Sequence, residues 1–196
     1  MRAAVLTVDQ RSSRTSRDLV PDTLARLGAG ALLPFERTAG DEIQGVFTDP
    51  EAAVNAVEAL LRSETWAVGI GIGAIEDPLP EHARAGRGPA YVNARNAVNR
   101  AKQAPARVAV VGDHPYRATQ LETSLWLWSG VLSRRTKGGW EVADLVAEGK
   151  THDEIARQLG ITQPAVTQRA QAAGIVDAGR ARRLAAELLG EALEES

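Results

Sequence analysis

The sequence predicts an α+β protein in two parts, an α/β sandwich followed by an all-α domain. Three observations carry that expectation. Up to Asp113, apolar runs of strand length alternate with amphipathic helical stripes in the order β-α-β-β-α-β-α-β, which suits helices packed on a mixed, partly antiparallel sheet. The run "WAVGIGIGAIE" sets Gly69, Gly71 and Gly73 on one strand face, where a flat ring or a helix can approach closely. From Trp140 onward the chain reads as helices, with short breaks at Gly149, Gly160 and Gly174.

The elements follow in order. "MRAAVLTVDQ" reads as a short buried strand, Ala3 to Val8, that ends on Asp9; the polar loop "QRSSRTSRD" follows, then a helix around Asp22 to Leu27. "ALLPFERTA" and "EIQGVF" read as two strands joined through Gly40-Asp41, a glycine-containing hairpin turn. "DPEAAVNAVEALLRS" has Asp49 placed to cap and Pro50 at the first helical position, with Val54, Val57, Leu60 and Leu61 on one stripe. In the helix Pro89 to Gln103, a turn of about 100° per residue gathers Ala90, Ala94, Ala97, Val98 and Ala101 into the buried stripe. "ARVAVVGD" closes the unit as a strand. The expected divisions are residues 1–114, a Trp-rich connector helix at 115–136 and a helical domain at 137–196, in which Ala178 to Leu193 closes the bundle or dimerises.

Composition narrows the classes. With 196 residues, 44% of them hydrophobic and 24% charged, a soluble chain of one large or two small domains is expected. No run approaches a transmembrane span and no signal-peptide core is present, so no membrane partner and a cytoplasmic location are expected. The absence of cysteine excludes disulfides, thiolate metal sites and a Cys nucleophile. A formal charge of -2 gives no global sign of nucleic-acid binding. His82, His114 and His152 lack metal-ligand spacing, and Ser12 and Ser13 lack a nucleophile-elbow context.

The most legible local motif is "DEIARQLGITQPAVTQR". Thr151 and Glu154 have the spacing of a capping box, Gly160 permits a tight turn, Ile161 plugs the core and Thr162 caps the next helix. Val166 and Ala170 face inward, which leaves Thr162, Gln163, Thr167, Gln168, Arg169 and Gln171 for a DNA major groove, where Gln pairs with adenine and Arg with guanine. This stretch resembles the helix-turn-helix of LuxR- and MarR-type regulators. The rival reading of the same residues is a packing or dimerisation module. From Arg134 to Arg183 nine basic residues stand against six acidic ones, a small surplus that a homodimer would double on double-stranded DNA. Trp126 and Trp128 face opposite sides of the connector helix, so one of them is expected at a domain or dimer interface.

In the N-terminal part, Asp9 ends a strand and Asp41 sits on the hairpin, so the two carboxylates are expected to share a cation. Mg²⁺ takes one or two carboxylates together with phosphate oxygens. The loop residues Arg11, Ser12, Ser13 and Arg14 suit a phosphate. Along the Pro89–Gln103 helix, Asn93, Asn96 and Arg100 form one polar row and Arg95, Asn99 and Lys102 another, and either row can offer Asn and a cation to a phosphate. Gly40, Asp41 and Glu42 also answer to simple turn chemistry.

The order of Asp9, "AGDEIQG", "GIGIGAIE" and "GRGPAYVNARNAVNRAK" resembles the SatD family of small bacterial proteins over roughly residues 1–113. More distantly it is similar to nucleotidyl cyclases and diguanylate cyclases, which implies a ferredoxin-like, cyclase-like sandwich with Asp9 and Asp41 as metal ligands. Arg37 stands near the place of a substrate-binding Lys in that pattern. The position of the transition-state Arg falls on Ala97 counted from Asn93, and on Arg100 counted from Asn96. The resemblance therefore implies nucleotide binding, by Arg11–Arg14, Arg37, Gly40–Glu42, Asn93, Arg95 and Arg100, more than catalysis. The expected function is a ligand-responsive, dimeric DNA-binding regulator with Mg²⁺ and a nucleotide in its N-terminal half. The alternatives are an active cyclase-type enzyme with a helical targeting domain, and a ligand-free DNA-binding dimer.

Overall fold

The computed structural model describes residues 1–11, 17–27 and 29–194. Strands β1 (Arg2–Gln10), β2 (Leu33–Ala39), β3 (Glu42–Phe47), β4 (Trp66–Ala74) and β5 (Val108–Gly112) form one mixed sheet in the order β2-β3-β1-β4-β5. β1 is antiparallel to β3 and β4, β2 is antiparallel to β3, and β4 is parallel to β5. The helices are α1 (Val20–Leu24), α2 (Pro50–Arg62), α3 (Pro89–Ala101), α4 (Pro115–Leu132), α5 (Lys137–Ala147), α6 (His152–Leu159), α7 (Gln163–Ala172) and α8 (Ile175–Glu194). The expected mixed sheet followed by a helical region is what forms. No helix among the described residues is long and apolar enough to cross a membrane.

β1 is apolar along both faces because both faces are covered. Ala4, Leu6 and Val8 join the core built with α2, α4 and α8, while Ala3 and Val5 join Ala90 and Ala94 of α3 on the other side. The near-continuous hydrophobic run of a strand buried on two faces has this origin. β4 shows the same alternation with a different chemistry. Ile70 and Ile72 enter the larger core. Gly69 and Gly71 lie under α3 so closely that a Cβ at Gly71 would sit 2.0 Å from Ala94 N, and one at Gly69 would sit 2.1 Å from Val98 N. The expected stripe Ala90, Ala94, Ala97, Val98 and Ala101 is wholly buried. Glycines below and small residues above let the helix backbone settle almost onto the strand, so the bare face receives a helix and not a flat ring.

α2 starts as its sequence predicts, with the Asp49 side chain accepting the Glu51 N–H and Pro50 in the first turn. The 115–136 segment differs from a simple connector. Ala118, Leu121, Leu125, Trp128 and Leu132 of α4 lie in the main core, and Trp128 has no exposed surface. α8 differs as well. Its Ala178, Ala185, Ala186, Leu189 and Ala192 pack into that same core, against α4 and α2. The separate helical cluster is therefore α5–α6–α7, centred on Val142, Leu145, Ile155, Ala156 and Val166, and α8 returns to the sheet layer.

Candidate functional site

The acids of the N-terminal half are arranged by strand register. Asp9 of β1 stands opposite Glu42 of β3, and the next inward pair on that face is Thr7 and Gln44. Cross-strand partners project to one side of the sheet. Gln44 Nε2 donates to Thr7 Oγ1 at 2.8 Å, and Thr38 Oγ1 donates to Glu42 Oε1 at 2.6 Å. Above them runs the second polar row of α3. Arg95 donates to both oxygens of Glu42, and Lys102 Nζ lies 2.7 Å from Asp9 Oδ2. The pair in register is thus Asp9 and Glu42. Asp41 belongs to the turn, where its carbonyl accepts the Gln10 N–H at 3.2 Å. One position of register separates the expected pair from the observed one. No group of three or more His, Asp or Glu side chains among the described residues is placed to hold a metal ion.

Gly40, at φ +58°, makes the left-handed turn that joins β2 to β3. Arg37 braces it, donating to Gly40 O at 2.8 Å and to Asp18 Oδ2 at 2.5 Å. The Arg37 hydrogen bond holds the Asp18 carboxyl below the usual carboxylate range.

The remaining expected nucleotide-binding residues do not converge on this face. Asn93 Nδ2 donates to Ile72 O at 2.8 Å and to Asp113 Oδ1 at 3.3 Å, tying α3 to the end of β4. Arg100 donates to Val110 O at 3.1 Å and to both oxygens of Glu122 at 2.9 and 3.1 Å. Glu122 in turn accepts the Val110 N–H at 2.7 Å, and the Trp126 indole donates to Val108 O at 2.8 Å. These side chains satisfy backbone groups of β5, a strand at the end of the sheet, which would otherwise offer itself to a foreign strand. Arg100 is therefore an internal brace, and Trp126 has its partner within the chain, with no dimer needed to satisfy it. Glu122, an acid inside the apolar stripe "LETSLWLW", is the signal in the sequence that could have revealed this cap.

Arg11 lies on the β4 side of β1. Its N–H donates to Thr65 O at 2.8 Å and its guanidinium to Glu64 O at 3.0 Å. It lines a cavity of about 410 Å³ with Trp66, Arg107, Trp126 and Gly130. Glu42 and Asp41 lie on the β3 side, whereas these two Arg11 bonds run to the β4 side. Ser12, Ser13 and Arg14 lie outside the described residues.

In the helical cluster the local chemistry follows the sequence closely. Thr151 Oγ1 accepts the Glu154 N–H, and the Glu154 carboxylate accepts the Thr151 N–H at 2.8 Å, a complete capping box. Those hydrogen bonds lower the Glu154 pKa. Gly160 ends α6 at φ +65°, and Thr162 caps α7 by accepting the Ala165 N–H. Val166 is buried, while Thr162, Gln163, Gln168 and Gln171 are exposed. Two expected reading residues are oriented otherwise. Thr167 is half-buried and bonds to His152 Nδ1 at 3.1 Å. Arg169 is half-buried as well, with its guanidinium over Gly138, where a Cβ would meet Nη1 at 3.2 Å.

The cluster joins the sheet layer through charged groups. Arg62 of α2 makes a two-pronged pair with Asp144 of α5 at 2.7 and 2.8 Å. The Arg62 and Arg135 guanidiniums lie over the Trp140 ring, 4.3 and 4.5 Å from its centroid. Arg135 Nε donates to Ala173 O at 2.9 Å. Arg182 of α8 pairs with Glu51 at 2.7 Å and lies 3.9 Å from Glu58. Arg135 thus serves this interface, while Arg182 ties α8 to α2 within the sheet layer, and both engagements reduce the basic surplus counted for a DNA surface. Sequence reasoning missed the interface because nothing in the local pattern links Arg62 to Asp144, 82 residues away. Comparison with known protein families, curated proteins and solved structures finds no match to this chain.

Proposed function

We propose that the chain is a ligand-responsive DNA-binding regulator. The observation that carries the reading is the α6–α7 unit: a capping box, a left-handed Gly160, the Thr162 cap, and a second helix whose inner face is apolar and whose outer face carries Gln163, Gln168 and Gln171. Such a unit supports a helix-turn-helix reading in which α7 enters the major groove and glutamines address adenine edges. Arg169, turned onto Gly138, then serves to position α7 and leaves base contact to the glutamines. Two copies on two half-sites offset the thin basic surplus, so a homodimer belongs to the proposal.

For the N-terminal half, the strand order β2-β3-β1-β4-β5 with helices on both faces supports a ferredoxin-like, cyclase-like sandwich of the SatD type. The reading is of a binding domain more than a catalytic one. Arg95 and Lys102 already neutralise Glu42 and Asp9, so a nucleotide-bound Mg²⁺ held by Asp9 and Asp41 would have to draw Asp9 from Lys102.

Fluorescence anisotropy against duplexes selected from a random pool tests the DNA reading. The expected result is a preferred site whose affinity falls by about 1–3 kcal/mol in Gln168→Ala, with weaker binding to scrambled duplex unchanged. Equal affinity for selected and scrambled duplexes overturns it.

A further inference from the structure

Three departures from local backbone preference meet around one cavity. Glu64 and Arg107 are the two non-glycine residues with positive φ among those described, at +54° and +52°. Both line the cavity of about 410 Å³ that lies beside Trp66 and Trp126. Non-glycine residues are held in the left-handed region only where their surroundings over-determine it, and such residues cluster at ligand sites. The third departure is Gly130, in the helical run of α4 and also in the cavity wall. A Cβ there would meet nothing within 4 Å, so no packing requires glycine. Alanine in its place would favour the helix by up to about 1 kcal/mol. A glycine that sterics do not demand, facing open space in a cavity, keeps that space open.

The lining has a definite chemistry. Trp126 supplies a half-buried indole ring, fixed by its bond to Val108 O, while Trp66, a core residue only 4% exposed, closes part of the wall. Arg11 and Arg107 supply guanidiniums, each anchored by a backbone carbonyl, Glu64 O at 3.0 Å and Lys102 O at 3.0 Å. Ser129 of α4 adds a hydroxyl, and Glu64 is the acid among the described lining residues. An indole that stacks on a flat ligand and guanidiniums that fork onto phosphate oxygens together fit a planar aromatic anion. The volume lies within the range of small-molecule sites.

We infer that this cavity binds a nucleoside monophosphate, its base against Trp126 and its phosphate toward Arg11 and Arg107. The inference rests on the ligand half of the proposed function and is independent of the DNA half. It moves the ligand from the carboxylate face to the wall of α4, so that occupancy bears directly on the helix that leads to Arg135 and Trp140.

The full chain, without DNA, is titrated with adenosine and guanosine 5′-monophosphate, with adenosine alone and with inorganic phosphate alone, following tryptophan fluorescence and heat. The expected result is saturable quenching by a nucleotide, at least tenfold weaker binding of adenosine and of phosphate, and at least tenfold loss of nucleotide affinity in Gly130→Leu with no fall in melting temperature. Arg107→Asn, which keeps a residue tolerant of positive φ, should lose nucleotide affinity while leaving adenosine binding unchanged. The absence of saturable binding overturns the inference. So does nucleotide binding that Gly130→Leu and Arg107→Asn leave intact, which would place the ligand elsewhere and spare the proposed function. DNA affinity, measured separately, decides the other half.

Discussion

Arg100 of α3 and Glu122 of α4 are joined through both carboxylate oxygens, and between them they hold the N–H and C=O of Val110. Glu122 is nearly enclosed, with 9% of its side chain exposed, whereas 54% of the Arg100 side chain is exposed. The pair therefore acts at a protein edge where one partner is desolvated and the other is not.

Truncating the enclosed partner should be the more damaging change. Glu122→Ala removes the acceptor for a buried N–H and is expected to lower stability by about 2–3 kcal/mol, against about 1 kcal/mol for Arg100→Ala. Chemical denaturation of both single variants and the double variant measures the coupling, which should be close to 1 kcal/mol. Additive effects would show that Glu122 serves Val110 alone.

The glycines of β4 and α4 predict opposite outcomes for one substitution. Gly71→Ala drives a Cβ to within 2.0 Å of the α3 backbone and is expected to lower stability by more than about 3 kcal/mol or to prevent folding. Gly130→Ala meets nothing and should raise stability by up to about 1 kcal/mol. Thermal melts of the two variants separate a glycine that makes room for a helix from one that keeps a cavity open.

Much of this architecture was legible where the determinant is local. Asp49 before Pro50, Thr151 with Glu154, and the Ala90–Ala101 stripe each specify a cap or a buried face within a few residues. What the stripes do not specify is the partner. The apolar face of α8 reads equally well as the closing helix of a bundle, yet it packs on α4 and α2. Trp126 lies off the main α4 stripe, where the pattern alone points to a domain or dimer interface, and Val108 O of β5 gives its indole a partner within the chain. At the hairpin, one residue of register made Glu42, and not Asp41, the partner of Asp9. Register and long-range packing are decided by contacts between segments far apart in sequence, and a single chain shows few traces of them.

The capping box of α6 carries its own acid sensitivity. Hydrogen bonds from Thr151 hold the Glu154 carboxylate below its ordinary value, so its contribution is present above the unfolded pKa and lost as pH falls through the folded one. Thr151→Ala should lower stability by about 1 kcal/mol at neutral pH, and the difference from wild type should shrink on acidification below the carboxylate range. Amide exchange in the first turn of α6 reads this directly. A difference independent of pH would remove the box from the account.

Glu58 behaves in the opposite sense. Burial beneath the interface pushes its pKa up from the ordinary 4.5, and the pull of Arg135, Arg182 and Arg62 does not offset that push. Both arginine contacts are long, 3.9 Å to Arg135 and 3.9 Å to Arg182, so the charged form gains attraction without a close hydrogen bond. A carboxyl whose folded pKa lies above its unfolded one binds its proton more tightly in the folded state. Its contribution to stability is largest below the unfolded pKa and declines as pH rises through the folded value. Glu58→Gln keeps the shape and removes the titration. The stability of wild type relative to Glu58→Gln should therefore fall as pH is raised from about 4 to 7, and the variant should melt no lower than wild type at neutral pH. Melting curves for the two chains across that range provide the check. A wild-type advantage that grows with pH would mean that the arginines outweigh burial, and that the junction of α2 with α5 is an ion-pair clamp instead of a desolvated acid held between cations.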